Sequence, residues 1–305
     1  MSIPFNVLIL GSGSAIPKKN KNHTAQLATF NGKHFLFDCG ECTQIQLKKF
    51  GSSFQKIDAI FITHMHGDHY LGLPGLIFSM NLLGRQKKLK IIGPAGIKIL
   101  LDFSFDQAQS RSAFPIEYIE TNETEKQVVF EDEQVTIVSF PLKHKIPTTG
   151  YLMTVGRKKR KLLKEKLEKY NVPKQLRAGI ADGRDFVLEG GKVIENSELT
   201  SDPERLRKFA FCTDTAYLEH IAKDIEGVDL MYHESTFLEA DKKLAKEKRH
   251  STAGQAAQIA KLSSAGKLLI GHFSNKYDSD SEFLSEARAI FSNTEIAKEG
   301  KVYEI

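Results

Sequence analysis

The chain has 305 residues, 41% of them apolar and 27% charged, with no Trp, enough to bury the core of one large domain or two ordinary ones. No run approaches the eighteen or so apolar residues of a membrane helix, and the start MSIPFNVLILGSG lacks the basic residues and length of a secretory leader. The cysteines Cys39, Cys42 and Cys212 are too few for a disulfide framework, so a reducing, cytoplasmic location is expected. Net charge is +5, yet residues 157–169 (RKKRKLLKEKLEK) alone carry eight basic side chains against two Glu, leaving the rest of the chain close to neutral. Overall basicity is therefore no argument for nucleic-acid binding, whereas one local basic segment is.

In chain order, short β-branched and aromatic runs predict strands at NVLIL, AQLATF and HFLFD, followed by a helix over 43–50 and a strand at AIFIT. A helix over 71–83, a strand at KLKIIG, a helix over 95–109 and strands at VTIVSF and GYLMTV come next. After a helix over 161–170 come strands at FAFCT and DLMYH, a helix over 252–262, a strand at KLLIG, a helix over 282–291 and a terminal strand at VYEI. Thr252-Ala-Gly-Gln255 forms a capping box, the clearest helix start in the chain. Residues 155–198 differ in composition, with a basic helix, VPKQLRAGIADGRDF and a hairpin-like FVLEGGKVIE, and read as an insertion into the domain. The GSGS after NVLIL is not a dinucleotide loop, because no third Gly follows and Pro17 stands where a helix would run.

The strongest chemical signal is AIFITHMHGDHYLGLPG, in which a buried strand runs into His64, His66, Asp68 and His69. His64 and His66 point the same way in an extended segment, and Gly67 allows the turn that brings Asp68 and His69 round to the other side. Imidazole plus carboxylate suits Zn²⁺ or Mn²⁺. The pattern recurs where VTIVSFPLK ends at His144, FAFCT at Asp214, LMY at His233-Glu234 and LLIG at His272. Strand ends converge on one crevice in open α/β sheets, so seven of these residues, His233 and Glu234 left aside, suit two ions with one shared carboxylate. His64, His66 and His144 are assigned to one ion, Asp68, His69 and His272 to the other, and Asp214, with its two oxygens, to both. A mononuclear site, or a metal-dependent hydrolase of small substrates, stays open on the residues alone.

HMHGDH with the later His, Asp and His resembles the metallo-β-lactamase superfamily. LGSGSAIPKKNKN, FDCGECTQ, PLKHKIPTTGY, HEST, HSTAGQAA and HFSNKY narrow the resemblance to the ribonuclease Z family of tRNA 3′-processing endonucleases, across essentially the whole chain. The resemblance implies an α/β fold, the αβ/βα four-layer sandwich, as a single domain over 1–305 with an inserted basic flexible arm over 155–198 that serves as a tRNA-binding exosite. It implies a zinc-dependent endoribonuclease with two Zn²⁺ per subunit, or Mn²⁺ in their place. Its products are a 3′-hydroxyl on the tRNA and a 5′-phosphate on the trailer, its partner precursor tRNA, its assembly a homodimer and its relation to membranes none. It assigns Asp68 as general base and Glu234 with His250 as the pair that protonates the leaving oxygen. It places Lys19, Lys21, Asn22 and Lys276 on the substrate, with Arg157, Lys158, Lys159 and Arg160 gripping it from the arm.

The chain departs from the family pattern at several points. Cys42 replaces the usual Gly of DCGEGTQ, and the resulting Cys-x-x-Cys is read as small buried cysteines, not as a zinc or redox motif. Lys21 and Lys276 stand where the family has Arg, keeping the charge but losing the bidentate fork. The arm lacks the family's Gly-Pro-rich stretch, and i,i+4 pairs such as Lys161 with Glu165 and Lys164 with Glu168 would neutralise part of its charge. His23, His34, His220 and His233 match no ligand position and are read as structural or surface residues.

Overall fold

The computed structural model describes residues 3–16, 21–157, 159–203 and 205–305. The chain divides into two compact units, one of Met1–Phe130, Ile137–Met153 and Lys208–Ile305, the other of Glu131–Thr136 and Thr154–Arg207. The first half supplies β1 (Phe5–Gly11), β2 (Ala25–Phe30), β3 (Lys33–Phe37), β4 (Ile57–Phe61), β5 (Leu89–Gly93) and β6 (Ile116–Glu120). Next come β7 (Gln127–Glu131), β8 (Val135–Lys143) and β9 (Pro147–Val155), then the short strands β10 (Lys161–Leu162), β11 (Phe186–Val187), β12 (Val193–Ile194) and β13 (Thr200–Ser201). The chain ends with β14 (Arg207–Cys212), β15 (Leu230–Glu234), β16 (Lys267–Gly271), β17 (Thr294–Ile296) and β18 (Val302–Glu304).

Two seven-stranded sheets result, in the orders β18-β1-β2-β3-β4-β5-β6 and β17-β16-β15-β14-β9-β8-β7. Strands β3 to β6 run parallel, as do β14 to β17, whereas β18, β1, β2 and β3 are antiparallel. Because side chains alternate along a strand, each sheet has two faces to cover. On the first sheet Leu8, Leu27, Leu36, Ile60 and Ile91 pack with Leu47, Leu73, Ile77 and Leu101 of the helices Thr43–Lys49, Gly72–Leu82 and Gly96–Gln107. On the second, Ala210, Met231, Leu268 and Ile270 pack with Ala256, Ile259, Phe283 and Ala287 of the helices Ala253–Leu262 and Ser281–Ile290. Between the sheets, Phe37 stacks on Phe61 at 5.0 Å and meets Tyr151, Phe209 and Phe211, while Phe211 stacks on Tyr232 at 5.2 Å. Helix, sheet, sheet, helix is the expected four-layer sandwich, and the aromatic layer keeps the two sheets in register.

The capping box is present, with Thr252 Oγ1 accepting from Gln255 N and the Gln255 side chain accepting from Thr252 N. The edge strands β6, β7 and β17 are not predicted from the sequence. Each pairs on one side only and is short, three to five residues with polar or charged residues among them, so none presents a long apolar run. Cys42 corrects the reading of buried cysteines: Cys39 and Cys212 are buried, but Cys42 is exposed. It caps the helix Thr43–Lys49 with φ 65°, a left-handed conformation that explains why glycine suits the position.

The second unit has its own core of Leu167, Val172, Ile180, Phe186, Ile194 and Leu199. Its helix is shorter than the predicted 161–170: Lys161 and Leu162 pair with Ser201 and Thr200, and only Lys164–Lys169 is helical. Lys161 is thereby removed from the helix surface it was expected to share with Glu165, because Leu162 packs on this small core. Phe186–Val187 and Val193–Ile194 form the expected hairpin. Among the described residues no helix is long and apolar enough to cross a membrane.

Candidate metal centre

The site lies at the ends of β4, β8, β14, β15 and β16. Past β4 the chain passes Thr63 and delivers His64, then a short helix Gly67–Tyr70 turns Asp68 and His69 inward. β8 is followed by His144, β14 by Asp214 and β16 by His272, while β15 ends at Glu234 itself. His272 adopts φ 62°, and this uncommon backbone for a non-glycine residue turns its ring back into the cluster.

All seven expected ligand residues come together in two groups. In the first, His66 Nδ1 lies 3.1 Å from both His64 Nε2 and His144 Nε2, and Asp214 Oδ2 lies 3.7 Å from each of those Nε2 atoms. In the second, His272 Nε2 is 3.3 Å from Asp68 Oδ2 and His69 Nε2 is 3.4 Å from the same oxygen. The other oxygen of Asp214, Oδ1, faces this group at 3.2 Å from His272 and 3.5 Å from His69. Nitrogen ligands about 2.0–2.1 Å from a tetrahedral Zn²⁺ stand about 3.3–3.4 Å apart, so the spacings match a metal polyhedron.

The ring orientations fit the same use. His69 donates Nδ1–H to Asp38 Oδ2 at 2.7 Å, His64 to the Thr63 hydroxyl at 3.0 Å, His144 to the Arg249 carbonyl at 2.9 Å and His272 to the Thr236 hydroxyl at 3.0 Å. Each Nε2 is thereby aimed inward, the orientation a metal ligand needs. Among the described residues, His69 Nε2 is buried and has no hydrogen-bond partner, an expense that a coordinated metal ion would relieve. Burial lowers the pKa of His64, His66 and His144, keeping them neutral and able to coordinate. Burial acts the same way on His69, but Asp68, Asp214 and Asp38 outweigh it and raise its pKa. Burial opposes ionisation of Asp68 and Asp214 as well, yet the surrounding imidazoles hold both below the ordinary carboxylate range.

Glu234 and His250 join as expected, with Glu234 Oε1 accepting from His250 Nδ1 at 2.9 Å. The same oxygen accepts from Thr215 N and Ser251 N, and Oε2 accepts from Thr236 N and its hydroxyl. Burial works against charge on His250, but Glu234 and Asp214 prevail and raise its pKa to about 9. His66, Asp68, His144, Asp214, His250 and His272 share the wall of a cavity of about 670 Å³.

The expected substrate residues do not join this cluster. Lys21 is held by Asp280 at 2.6 Å, Asn22 by Glu299 at 2.6 and 2.7 Å, and Lys276 by Asp241 at 2.6 Å. Lys19 and Lys158 lie outside the described residues. In the second unit Arg157 is exposed, Lys159 pairs with Asp182 at 3.0 Å, and Arg160 pairs with Asp202 and donates to Thr200. Sequence reasoning missed Asp38, Thr63 and Thr236, which orient the rings. Asp38 is the one with a signal, an acidic residue inside FDCG where a strand ends.

The family model described as Anti-Pycsar protein Apyc1 matches residues 5–164, a span that ends before Asp214, Glu234, His250 and His272. Ribonuclease Z of Bacteroides fragilis is 40% identical over 295 residues, covering 97% of each chain, and ribonuclease Z of Parabacteroides distasonis is 40% identical over 296 residues with the same coverage. The chain belongs to the ribonuclease Z family. Among solved structures, the short form of human tRNase Z is 26% identical with a TM-score of 0.70, covering 98% of both chains. A metallo-β-lactamase fold protein of Bacillus subtilis, 21% identical with a TM-score of 0.69, shares the fold of this ribonuclease Z family member.

Proposed function

We infer that the chain is an endoribonuclease that removes the 3′ trailer from tRNA precursors, leaving a 3′-hydroxyl on the tRNA and a 5′-phosphate on the trailer. The observation that carries this reading is the Glu234–His250 pair at 2.9 Å beside two ligand groups between which Asp214 lies, one of its oxygens facing each. Phosphodiester cleavage needs an acid for the leaving oxygen in addition to a charge-stabilising centre, and relatives named ribonuclease Z align over the whole site.

His64, His66 and His144 would hold one Zn²⁺, Asp68, His69 and His272 the second, with Asp214 between them. When bound, two such ions neutralise the phosphate oxygens and make the attacking water more acidic. Asp68, ionised at neutral pH, orients that water and accepts its proton as the new P–O bond forms on the trailer phosphate. His250, protonated beside Glu234, donates its proton to the departing 3′-oxygen as the old bond breaks. Glu234 fixes the ring so that Nε2–H is the proton-bearing edge presented to the cavity.

The basic unit of residues 154–207 is proposed to grip the tRNA through phosphate contacts, which give affinity and register without reading bases. Lys19, Lys21, Asn22 and Lys276 are proposed to contact the strand near the cleaved bond, Lys21 and Lys276 by exchanging Asp280 and Asp241 for phosphate. The enzyme is proposed to work as a cytoplasmic homodimer, as members of this family typically do. The test is cleavage of an end-labelled precursor tRNA with analysis of both new ends. Hydrolysis of bis-p-nitrophenyl phosphate without precursor cleavage would refute the tRNA assignment, and absence of any bound metal on elemental analysis would refute the mechanism.

A further inference from the structure

The helix Lys242–Lys248 ends one residue before the proposed proton donor, with an arginine where the turn favours glycine. Arg249 N–H donates to the Lys246 carbonyl at 3.3 Å and His250 N–H to the Ala245 carbonyl at 2.9 Å, and Arg249 lies in the left-handed region at φ 57°. Helices commonly end on this pair of bonds, and glycine is the usual left-handed residue because a side chain there is strained. An arginine that carries the strain calls for a compensating role, and its exposed side chain contributes nothing to a core.

Two groups of Arg249 meet the same residue. Its carbonyl accepts from His144 Nδ1 at 2.9 Å, and its Nη1 donates to the His144 carbonyl at 2.6 Å. His144 stands where such a clasp is needed: β8 ends at Lys143 and β9 begins at Pro147, so this expected ligand sits in a bend outside the strand ladder. On the strand side the bend is anchored, because Lys143 N donates to the Thr215 hydroxyl at 3.1 Å and Lys143 O accepts from Ala216 N at 2.8 Å. The guanidinium anchors it at His144 itself. Across the turn the His144 and His250 rings lie 4.8 Å apart. Lys248 and His250 line the cavity, whereas Arg249 between them is not among its lining residues. Resting on the metal-dependent reading above, we propose that Arg249 is a positioning residue whose guanidinium locks the His144 bend against the turn that carries His250. One side chain then fixes a ligand of the first ion and the proton donor relative to each other.

The experiment titrates metal-stripped wild type, Arg249→Gly, Arg249→Met and Arg249→Lys with zinc against a competing chelator, and follows precursor cleavage at saturating zinc. Glycine accepts the left-handed turn and so keeps the carbonyl in place without the guanidinium, while methionine keeps the stiffer backbone but lacks a donor. Both are expected to weaken one zinc site by about threefold to tenfold, the worth of one hydrogen bond, and to leave the other within about twofold. The effect is expected to vanish in a His144→Ala background, which identifies the weakened site. Lysine, with a donor on a long stem, is expected to recover most of the loss, since the bond it replaces is single. At saturating zinc the Gly and Met variants are expected to lose about threefold to tenfold in kcat, with KM and the basic limb of the pH–rate profile unmoved, because Glu234 remains the partner of His250 Nδ1. Wild-type affinity at both sites in the Gly and Met variants would overturn the proposal. Equal weakening of both sites would make Arg249 a general stabiliser, and a loss confined to glycine would assign the effect to stiffness of the turn; either overturns it. A raised KM with a flatter salt dependence and unchanged zinc affinity would make Arg249 a phosphate contact instead. Wild-type protein that binds no metal would refute the metal-dependent reading and this inference with it, whereas two wild-type sites indifferent to every substitution refute this inference alone.

Discussion

Replacing Asp38 by Asn tests how far the ligand cluster depends on groups behind it. Asp38 is fully buried and accepts from Thr63 N at 2.8 Å, from the Thr63 hydroxyl at 3.0 Å and from His69 Nδ1 at 2.7 Å. Its backbone sits at φ 55°, and Asn adopts this conformation more readily than other non-glycine residues. The substitution therefore removes charge and accepting capacity without adding backbone strain. A hydrogen bond to an ionised group contributes about 1.5–3 kcal/mol, or about 10- to 150-fold in an equilibrium that needs the ring held in place. Loss of outer partners of metal-bound histidines costs about 10–100-fold in affinity, the same range. Asp38→Asn is expected to weaken one of two zinc sites by about 10–100-fold, the one proposed at Asp68, His69 and His272, and to leave the other within about threefold. Zinc titration of the stripped protein against a competing chelator, with stoichiometry from elemental analysis, measures both. Two sites of wild-type affinity would refute the claim that Asp38 orients His69 for metal, and equal weakening of both would place its role in folding instead.

Glu234→Gln removes the carboxylate that helps hold His250 at a pKa of about 9. Protonated His250 is the proposed acid, so activity is lost as pH rises through its pKa. The variant's basic limb is expected to move to lower pH, with kcat at pH 7.5 down by about 10²-fold, and an unmoved basic limb in the pH–rate profile would refute the acid role. Asp68→Ala is expected to lower single-turnover cleavage by at least about 10³-fold while precursor binding, measured by filter retention, changes less than about threefold. An equal loss of binding would instead make Asp68 an RNA contact. Replacing residues 157–205 by a short Gly/Ser linker is expected to raise KM for precursor tRNA and flatten its salt dependence, with bis-p-nitrophenyl phosphate still hydrolysed. An unchanged KM and salt slope would refute the exosite reading.

What the sequence disclosed and what it hid divide along physical lines. The buried strands β4, β14, β15 and β16 carry apolar runs, and the site residues at their ends are legible because these parallel strands deliver their carboxyl ends to one crevice. The edge strands β6 and β7 are five residues long, bounded or interrupted by charged residues and largely half-exposed, and leave no such signature. The ligand set is legible from residue type and spacing, but Thr63 and Thr236 are not, since a threonine that accepts from an imidazole looks like any strand-end threonine. The basic segment is legible as charge, yet not as structure. Leu162, Leu167, Ile180, Phe186, Ile194 and Leu199 gather into a small core only once chain segments thirty residues apart are folded together.

The ligand cluster and the acid–base pair form one hydrogen-bonded object, and Glu234 is its node. Its Oε1 accepts from His250, while its Oε2 accepts from the Thr236 hydroxyl, which in turn accepts from His272 Nδ1 at 3.0 Å. One buried carboxylate therefore orients both the proposed proton donor and a proposed metal ligand, and backbone N–H groups of Thr215, Thr236 and Ser251 converge on it to offset its burial. Shortening this side chain would release both rings at once, which is why the isosteric Gln is the informative replacement. The shared node also dictates how that variant is read. A loss of activity with zinc retained and the basic limb shifted isolates the acid, whereas a loss of zinc with the limb unmoved assigns the effect to His272.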